Sequence, residues 1–151
     1  MTMRSKICVD ASLIVALFVP ERFSQASLVL WEEWVRDDYQ LIAPLLLRYE
    51  VTSAIYRKSF RVLISVEDAR RAIEQFLSLD IEYIDPPNLP LLAVDLAAQF
   101  HRPNTYDAHY LALAKHQECV VWTGDQRLYN AVKDGFDHIN WIGDHPKAVS
   151  R

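Results

Sequence analysis

A chain of 151 residues with 51% hydrophobic side chains has the size of one domain and ample material for a core. Sixteen Lys and Arg against 20 Asp and Glu leave a net charge of −4, which excludes coating nucleic acid by bulk attraction but not a local basic groove. Three glycines, at 124, 135 and 143, cannot build the G-x-G-x-x-G or G-x-x-x-x-G-K-[ST] phosphate loops, and two widely separated cysteines cannot build a zinc ribbon or a C-x-x-C pair.

Ile7-Cys8-Val9 reads as a short apolar strand stopped by Asp10. Ala11 to Phe18 reads as a buried helix ended by Pro20. The apolar run from Ala11 to Val19 is too short to span a bilayer, which takes about 20 residues. No small-residue cleavage site follows it, so the expectation is a cytoplasmic protein with no membrane partner. Phe23, Ala26, Leu30 and Trp34 recur at helical spacing over about Arg22 to Arg36. Leu41-Ile42-Ala43 is a strand, and Pro44 suits the first turn of a helix reaching about Phe60.

Ser65-Val66-Glu67-Asp68 resembles a capping box, with Val66, Ala69, Ile73, Phe76 and Leu77 forming one apolar face behind it. Ile81 to Ile84 is a strand closed by Asp85-Pro86-Pro87, and Leu89 to Phe100 is a helix. Thr105 is placed to cap a helix to about Lys115. Cys119 to Trp122 is an apolar strand, Thr123-Gly124-Asp125-Gln126 matches the capping pattern T-x-x-Q of a further helix, and His138 to Trp141 is an edge strand. Cys8 and Cys119 read as buried thiols of a reducing compartment. Apolar strands alternating with helices define an α/β fold, a parallel sheet covered on both faces, with residues 1–151 as a single domain.

In such a fold, ligands bind beyond the carboxyl ends of the strands. Asp10 directly follows the first strand. Asp107 stands in the first turn of a helix that travels down the sheet, and the next strand travels back, which returns Asp125 to the same edge. Glu50, in the second turn of its helix, has the length to reach that rim. Two unit charges ~4 Å apart repel by roughly 4 kcal/mol at an effective dielectric near 20. Each helix N-terminus relieves only about 0.3–1 kcal/mol of this. A hard divalent cation relieves it directly, and all-oxygen ligands point to Mg²⁺ or Mn²⁺. Phosphodiester hydrolysis by metal-activated water is the natural chemistry of such a site. Ser12 and Thr123 are hydroxyls beside these acids; Thr123 reads first as a helix cap and second as a contact to metal water or substrate.

The segments Val9-Asp10-Ala11-Ser12, Leu47-Arg48-Tyr49-Glu50-Val51, Tyr106-Asp107-Ala108-His109-Tyr110 and Trp122-Thr123-Gly124-Asp125-Gln126-Arg127-Leu128 together resemble a PIN-domain nuclease. The likeness is greatest to the small VapC-type toxins of toxin–antitoxin pairs, and it runs from about Ile7 to Trp141. The resemblance implies a three-layer α/β/α fold with a central, mostly parallel sheet surrounded by helices. It implies catalytic, metal-binding acids at Asp10, Glu50, Asp107 and Asp125, and Mg²⁺- or Mn²⁺-dependent endoribonuclease activity on RNA such as tRNA or rRNA. It also implies a homodimer and a cognate antitoxin whose tail fills the active-site groove. Some members carry a further acid just after the last motif Asp; here that stretch is Gln126-Arg127.

Arg57 and Arg61 follow Glu50 at i+7 and i+11 on one helix face, a row that either grips phosphates or is a solvated basic surface. Arg48 and Arg127 are placed near the rim. Trp31 and Trp34, with Leu28, Leu30 and Val35, make the second helix apolar on more than one side, through core packing or as a dimer or antitoxin surface. The five histidines show no ligand spacing on one helix face, although His109 falls close behind Asp107. Two other readings compete with the toxin: a non-catalytic PIN-like interaction domain, and a PIN nuclease acting on other RNA or DNA. A receiver-type domain lacks its Lys after the Cys119–Trp122 strand.

Overall fold

The computed structural model describes residues 4–148. Five strands form one parallel sheet: β1 (Lys6–Val9), β2 (Gln40–Ala43), β3 (Glu82–Tyr83), β4 (Val120–Thr123) and β5 (Ile139–Trp141), in the order β3-β2-β1-β4-β5. Seven α-helices flank it: α1 (Ala11–Phe18), α2 (Ser24–Arg36), α3 (Leu46–Phe60), α4 (Val66–Leu77), α5 (Leu89–Gln99), α6 (Tyr106–His116) and α7 (Gln126–Val132). The result is the three-layer α/β/α arrangement that the apolar strands imply.

The central strand sets the register. Ile7 and Cys8 pair with Leu41 and Ile42 on one side and with Val120 and Val121 on the other, and Val9 pairs with Trp122. A strand with neighbours on both edges and helices on both faces must be apolar at successive positions, as Ile7-Cys8-Val9 is. The helices form two groups. α1 contacts α2, α3 and α4, whereas α5 lies along α6, which rests on β1 and β4. Phe76, Leu13, Ile14, Ile42 and Leu111 are buried between these layers and the sheet. Cys8 and Cys119 are both buried and unbridged. No helix among the described residues is long and apolar enough to cross a membrane.

The order of the strands locates the functional edge. The chain lays β2 and β3 to one side of β1, then returns to lay β4 and β5 on the other. Strand order therefore reverses between β1 and β4, and in open α/β sheets ligands bind at that switch point, beyond the carboxyl ends of the strands. Asp10 follows β1 and Thr123 ends β4.

Several local expectations are corrected. Thr123 does not cap α7: it is the last residue of β4, and Asp125 is the cap. Thr105 stands at the N-cap of α6, but its side chain makes no capping bond; Asn104 Oδ1 accepts from the Tyr106 amide instead. Ser65 does cap α4, its Oγ accepting from the Asp68 amide, yet Val66 and Leu77 at the two ends of that helix are exposed rather than part of its buried face. α2 begins at Ser24, whose hydroxyl accepts from the Glu21 amide. The third strand shrinks to Glu82–Tyr83, although Ile84 still donates to the Ala43 carbonyl. Trp34 is a core residue packed edge-on against Trp31 and tilted against Trp122, so the apolar surplus of α2 reduces to exposed Leu28 and Val35.

Candidate active site

At the switch point two helices start side by side, and each is started by an acid. Asp10 leaves β1 in extended conformation, and its Oδ1 accepts from the Leu13 amide in the first turn of α1. Asp125 does the same for α7, its Oδ1 accepting from the Leu128 amide. Asp is among the preferred residues at this position because its carboxylate satisfies an amide the helix cannot.

Two hydroxyls join these starts. Ser12 Oγ donates to Asp10 Oδ1 at 2.7 Å and accepts from the Gly124 amide at 2.8 Å. Thr123 Oγ1 donates to Asp10 Oδ2 at 2.5 Å and accepts from the Asp125 amide at 2.9 Å. Gly124 lets the β4–α7 turn come this close, since a Cβ there would stand 3.2 Å from Ser12 Oγ. A carboxylate has about four acceptor positions. Asp10 uses three, on Ser12, Leu13 and Thr123, which leaves one for another partner.

A cleft of about 290 Å³ opens beside this network, and Asp10, Glu50, Asp107 and Asp125 all line it, with Ser12, Glu21, Arg57 and Tyr110. Glu50 projects from α3, and its Oε1 accepts from the Tyr110 hydroxyl at 2.6 Å. Asp107, in the first turn of α6, has Oδ2 3.8 Å from Arg102 Nη2. At the mouth, Glu21 pairs with Lys58 at 3.4 Å. His109 does not turn to Asp107; its Nδ1 donates to the Thr105 carbonyl. A larger cavity of about 560 Å³ lies near the amino ends of β1 and β4 and contains none of the predicted acids.

The electrostatics show that the acids oppose one another. Asp10, 5% exposed, has its pKa pushed up to about 6, chiefly by burial, with Asp107 adding to the rise and the Ser12, Thr123 and Leu13 hydrogen bonds holding it down. Burial also raises Asp107, reinforced by Asp125 and offset by Arg102. Glu50 is raised by burial and by Asp107, against the Tyr110 hydrogen bond and His109. Such a set gains from a cation. In kind the donors suit a hard divalent ion: carboxylates without thiolate, one acceptor position open on Asp10, and two hydroxyls fixed alongside. They are spread around the cleft rather than closed into a cage; among the described residues no three Asp, Glu, His or Cys side chains are already grouped tightly enough to hold a metal. That spacing suits an ion that keeps part of its water shell.

The predicted phosphate-binding residues divide. Arg57 lines the cleft; Arg48, Arg61 and Arg127 are exposed and lie outside its lining. Sequence reasoning assigned no role to three residues found here. Tyr110 stands three residues after Asp107 on the same helix, a spacing that announces a shared face but not a partner on α3. Glu21 follows the proline that ends α1, and Arg102 follows the turn that ends α5; neither carries a local signal.

With the acids placed, the chain can be set beside known proteins. The PIN domain family matches residues 7–134, and the chain belongs to that family. Within the family it is a VapC-type nuclease: it is 30% identical to Ribonuclease VapC3 of Pyrobaculum aerophilum, over 82% of this chain and 92% of that protein. In fold it is similar to the crystal structure of PAE2754 from Pyrobaculum aerophilum, with a TM-score of 0.69 and 21% identity over 93% of this chain and 92% of that one. It is also similar in fold to the Mycobacterium tuberculosis VapC20 toxin, described as cleaving the sarcin-ricin loop. That match has a TM-score of 0.64 and 17% identity over 86% of this chain and 95% of that one.

Proposed function

We propose that this protein is a Mg²⁺- or Mn²⁺-dependent endoribonuclease and the toxin of a type II toxin–antitoxin pair. The observation that carries the reading is the arrival of Asp10, Glu50, Asp107 and Asp125 at one cleft, from four separate elements, in a VapC-type chain. When bound there, Mg²⁺ or Mn²⁺ would supply a polarised water and neutralise charge on the phosphate. The four acids would hold it. Three hydrogen bonds fix the Asp10 carboxylate in one orientation, which suits a ligand that must not wander. Glu50, whose pKa is raised by burial and by Asp107, is suited to take a proton from the attacking water. Arg57 on the cleft wall offers the scissile phosphate a counter-charge.

The relatives support a reading of substrate and partners. A ribonuclease at 30% identity supports RNA as the substrate, and a toxin of the same fold that cleaves the sarcin-ricin loop supports structured RNA such as rRNA or tRNA. The VapC likeness supports a cognate antitoxin and a homodimer. Purified protein should cut total RNA with Mn²⁺ and stop with EDTA, and Asp10→Asn should abolish cutting with an unchanged circular dichroism spectrum. Cutting retained by that variant would refute the assignment.

A second reading, a non-catalytic PIN-like interaction domain, draws on the open spacing of the acids. Calorimetry decides between them: it predicts no heat of Mn²⁺ binding, where the nuclease predicts binding that Asp107→Asn weakens.

A further inference from the structure

Helix α3 carries a second feature, on the face next to its acid. Tyr49, Tyr56 and Phe60 are 65%, 54% and 74% exposed, and none stacks on another ring among the described residues. At i, i+7 and i+11 they fall on one stripe of the helix. Glu50, Arg57 and Arg61 repeat the same spacing one residue later, so the two stripes run in parallel, rotated by about 100°. One begins at the acid cleft and continues through cations, while the other offers flat π-faces to solvent.

We infer that these stripes form a single-strand binding track. The RNA backbone leaves the cleft along Arg57 and Arg61, and successive bases turn outward to stack on Tyr49, Tyr56 and Phe60. Aromatic platforms beside a positive groove are the means by which proteins hold unpaired nucleic acid without reading its sequence. Charge selects RNA over a protein as the occupant. In a chain of net charge −4, α3 and its C-cap carry Arg48, Arg57 and Arg61, besides Lys58 that pairs with Glu21, against one acid of the helix, Glu50. Each aromatic has a cation as its immediate neighbour: Arg48-Tyr49, Tyr56-Arg57 and Phe60-Arg61. Arg57 and Arg61 form no ion pair among the described residues. The helical rise puts Tyr49 and Tyr56 about 10 Å apart and Tyr56 and Phe60 about 6 Å apart, a length that engages several nucleotides. This inference rests on the ribonuclease reading and adds to it a requirement for unpaired nucleotides flanking the cut.

The test is binding of an unstructured, fluorescein-labelled 12-nucleotide RNA to the full chain in EDTA, where no cutting intervenes. Each ring removed, Tyr56→Ala or Phe60→Ala, should weaken binding roughly 5- to 100-fold, the factor expected for one stacked base. Tyr56→Phe should bind within about twofold of the wild type. A parallel wild-type experiment with 5-iodouridine RNA should place photocrosslinks on α3. Crosslinks confined to other elements, or Ala variants that bind as the wild type does, would overturn the track. So would Ala variants that change the mass in solution while leaving RNA affinity intact, since the stripe would then be a protein interface. Mn²⁺-dependent cleavage by the wild type is scored separately. Cleavage that both Ala variants retain at wild-type rate rejects the track and keeps the nuclease, whereas ring-dependent binding without cleavage does the reverse.

Discussion

Asp10 carries two opposed demands, and its titration exposes them. Its carboxylate is buried and its pKa is raised from 3.8 to about 6. The folded state therefore holds this proton more tightly than the unfolded chain does. The resulting contribution to stability is complete below about pH 4 and is lost as pH rises through about 6. In EDTA, the thermal midpoint of the wild type should fall over that interval relative to Asp10→Asn, which has no such proton to lose. A difference that instead grows towards low pH would mean that the carboxylate is held charged. Tyr110 makes a complementary prediction. Its hydroxyl lowers the Glu50 pKa. Tyr110→Phe should shift the acid limb of the pH–rate profile upward and reduce kcat about tenfold with KM nearly unchanged. A loss confined to KM would show that Tyr110 merely shapes the cleft.

At the level of elements, the ends of the helices are informative. α2, α3, α5 and α6 each finish in the same doubly bonded turn, with Asp38, Val62, His101 and Glu118 in the left-handed region at φ of 58°, 59°, 53° and 53°. Glycine usually occupies this place, yet none of the three glycines here has positive φ. Val62 is the most strained of the four because it is β-branched, and at 88% exposure it gains almost no burial in return. Val62→Gly should stabilise the protein by about 0.5–1 kcal/mol in urea melts, the relief of strain exceeding the added freedom of the unfolded chain. Asp38→Gly should gain less, since Asp38 also pairs with Arg4 at 3.3 Å.

The same scale shows what sequence can and cannot reveal. The central strands were legible because a parallel strand covered on both faces is apolar at successive positions, as Ile7 to Val9 is, whereas the edge strand β3, Glu82–Tyr83, carries no such run. Ser65 was legible as a cap because its partner is three residues away. Thr123 was not, because its hydroxyl takes Asp10, 113 residues distant, over the local cap. Strand direction places Asp10, Asp107 and Asp125 on one rim, and the length of its side chain lets Glu50 reach it, which matches the cleft they line. The Tyr110–Glu50 hydrogen bond, 60 residues apart in the chain, could not, since it depends on how α6 and α3 face each other.

For the whole molecule, a cation bound at the switch point would tie together elements the chain visits at widely separated times. Binding confined to the folded state stabilises by about 2.7 kcal/mol at a hundred times Kd. Saturating Mn²⁺ should therefore raise the thermal midpoint by several degrees at neutral pH, and Asp107→Asn should suppress the shift without lowering the metal-free midpoint. A shift of equal size in that variant would place the ion elsewhere.

The capping role of Asp10 and Asp125 does not by itself require that both be acids. At the start of a helix, asparagine performs about as well as aspartate, and it would bring no uncompensated charge into a crowded hollow. At Asp125 that exchange would leave the cap intact, whereas at Asp10 an amide nitrogen could not accept from Thr123 as Oδ2 does. Asp10 holds a carboxylate that its burial and Asp107 both disfavour, a charge that starting a helix does not require.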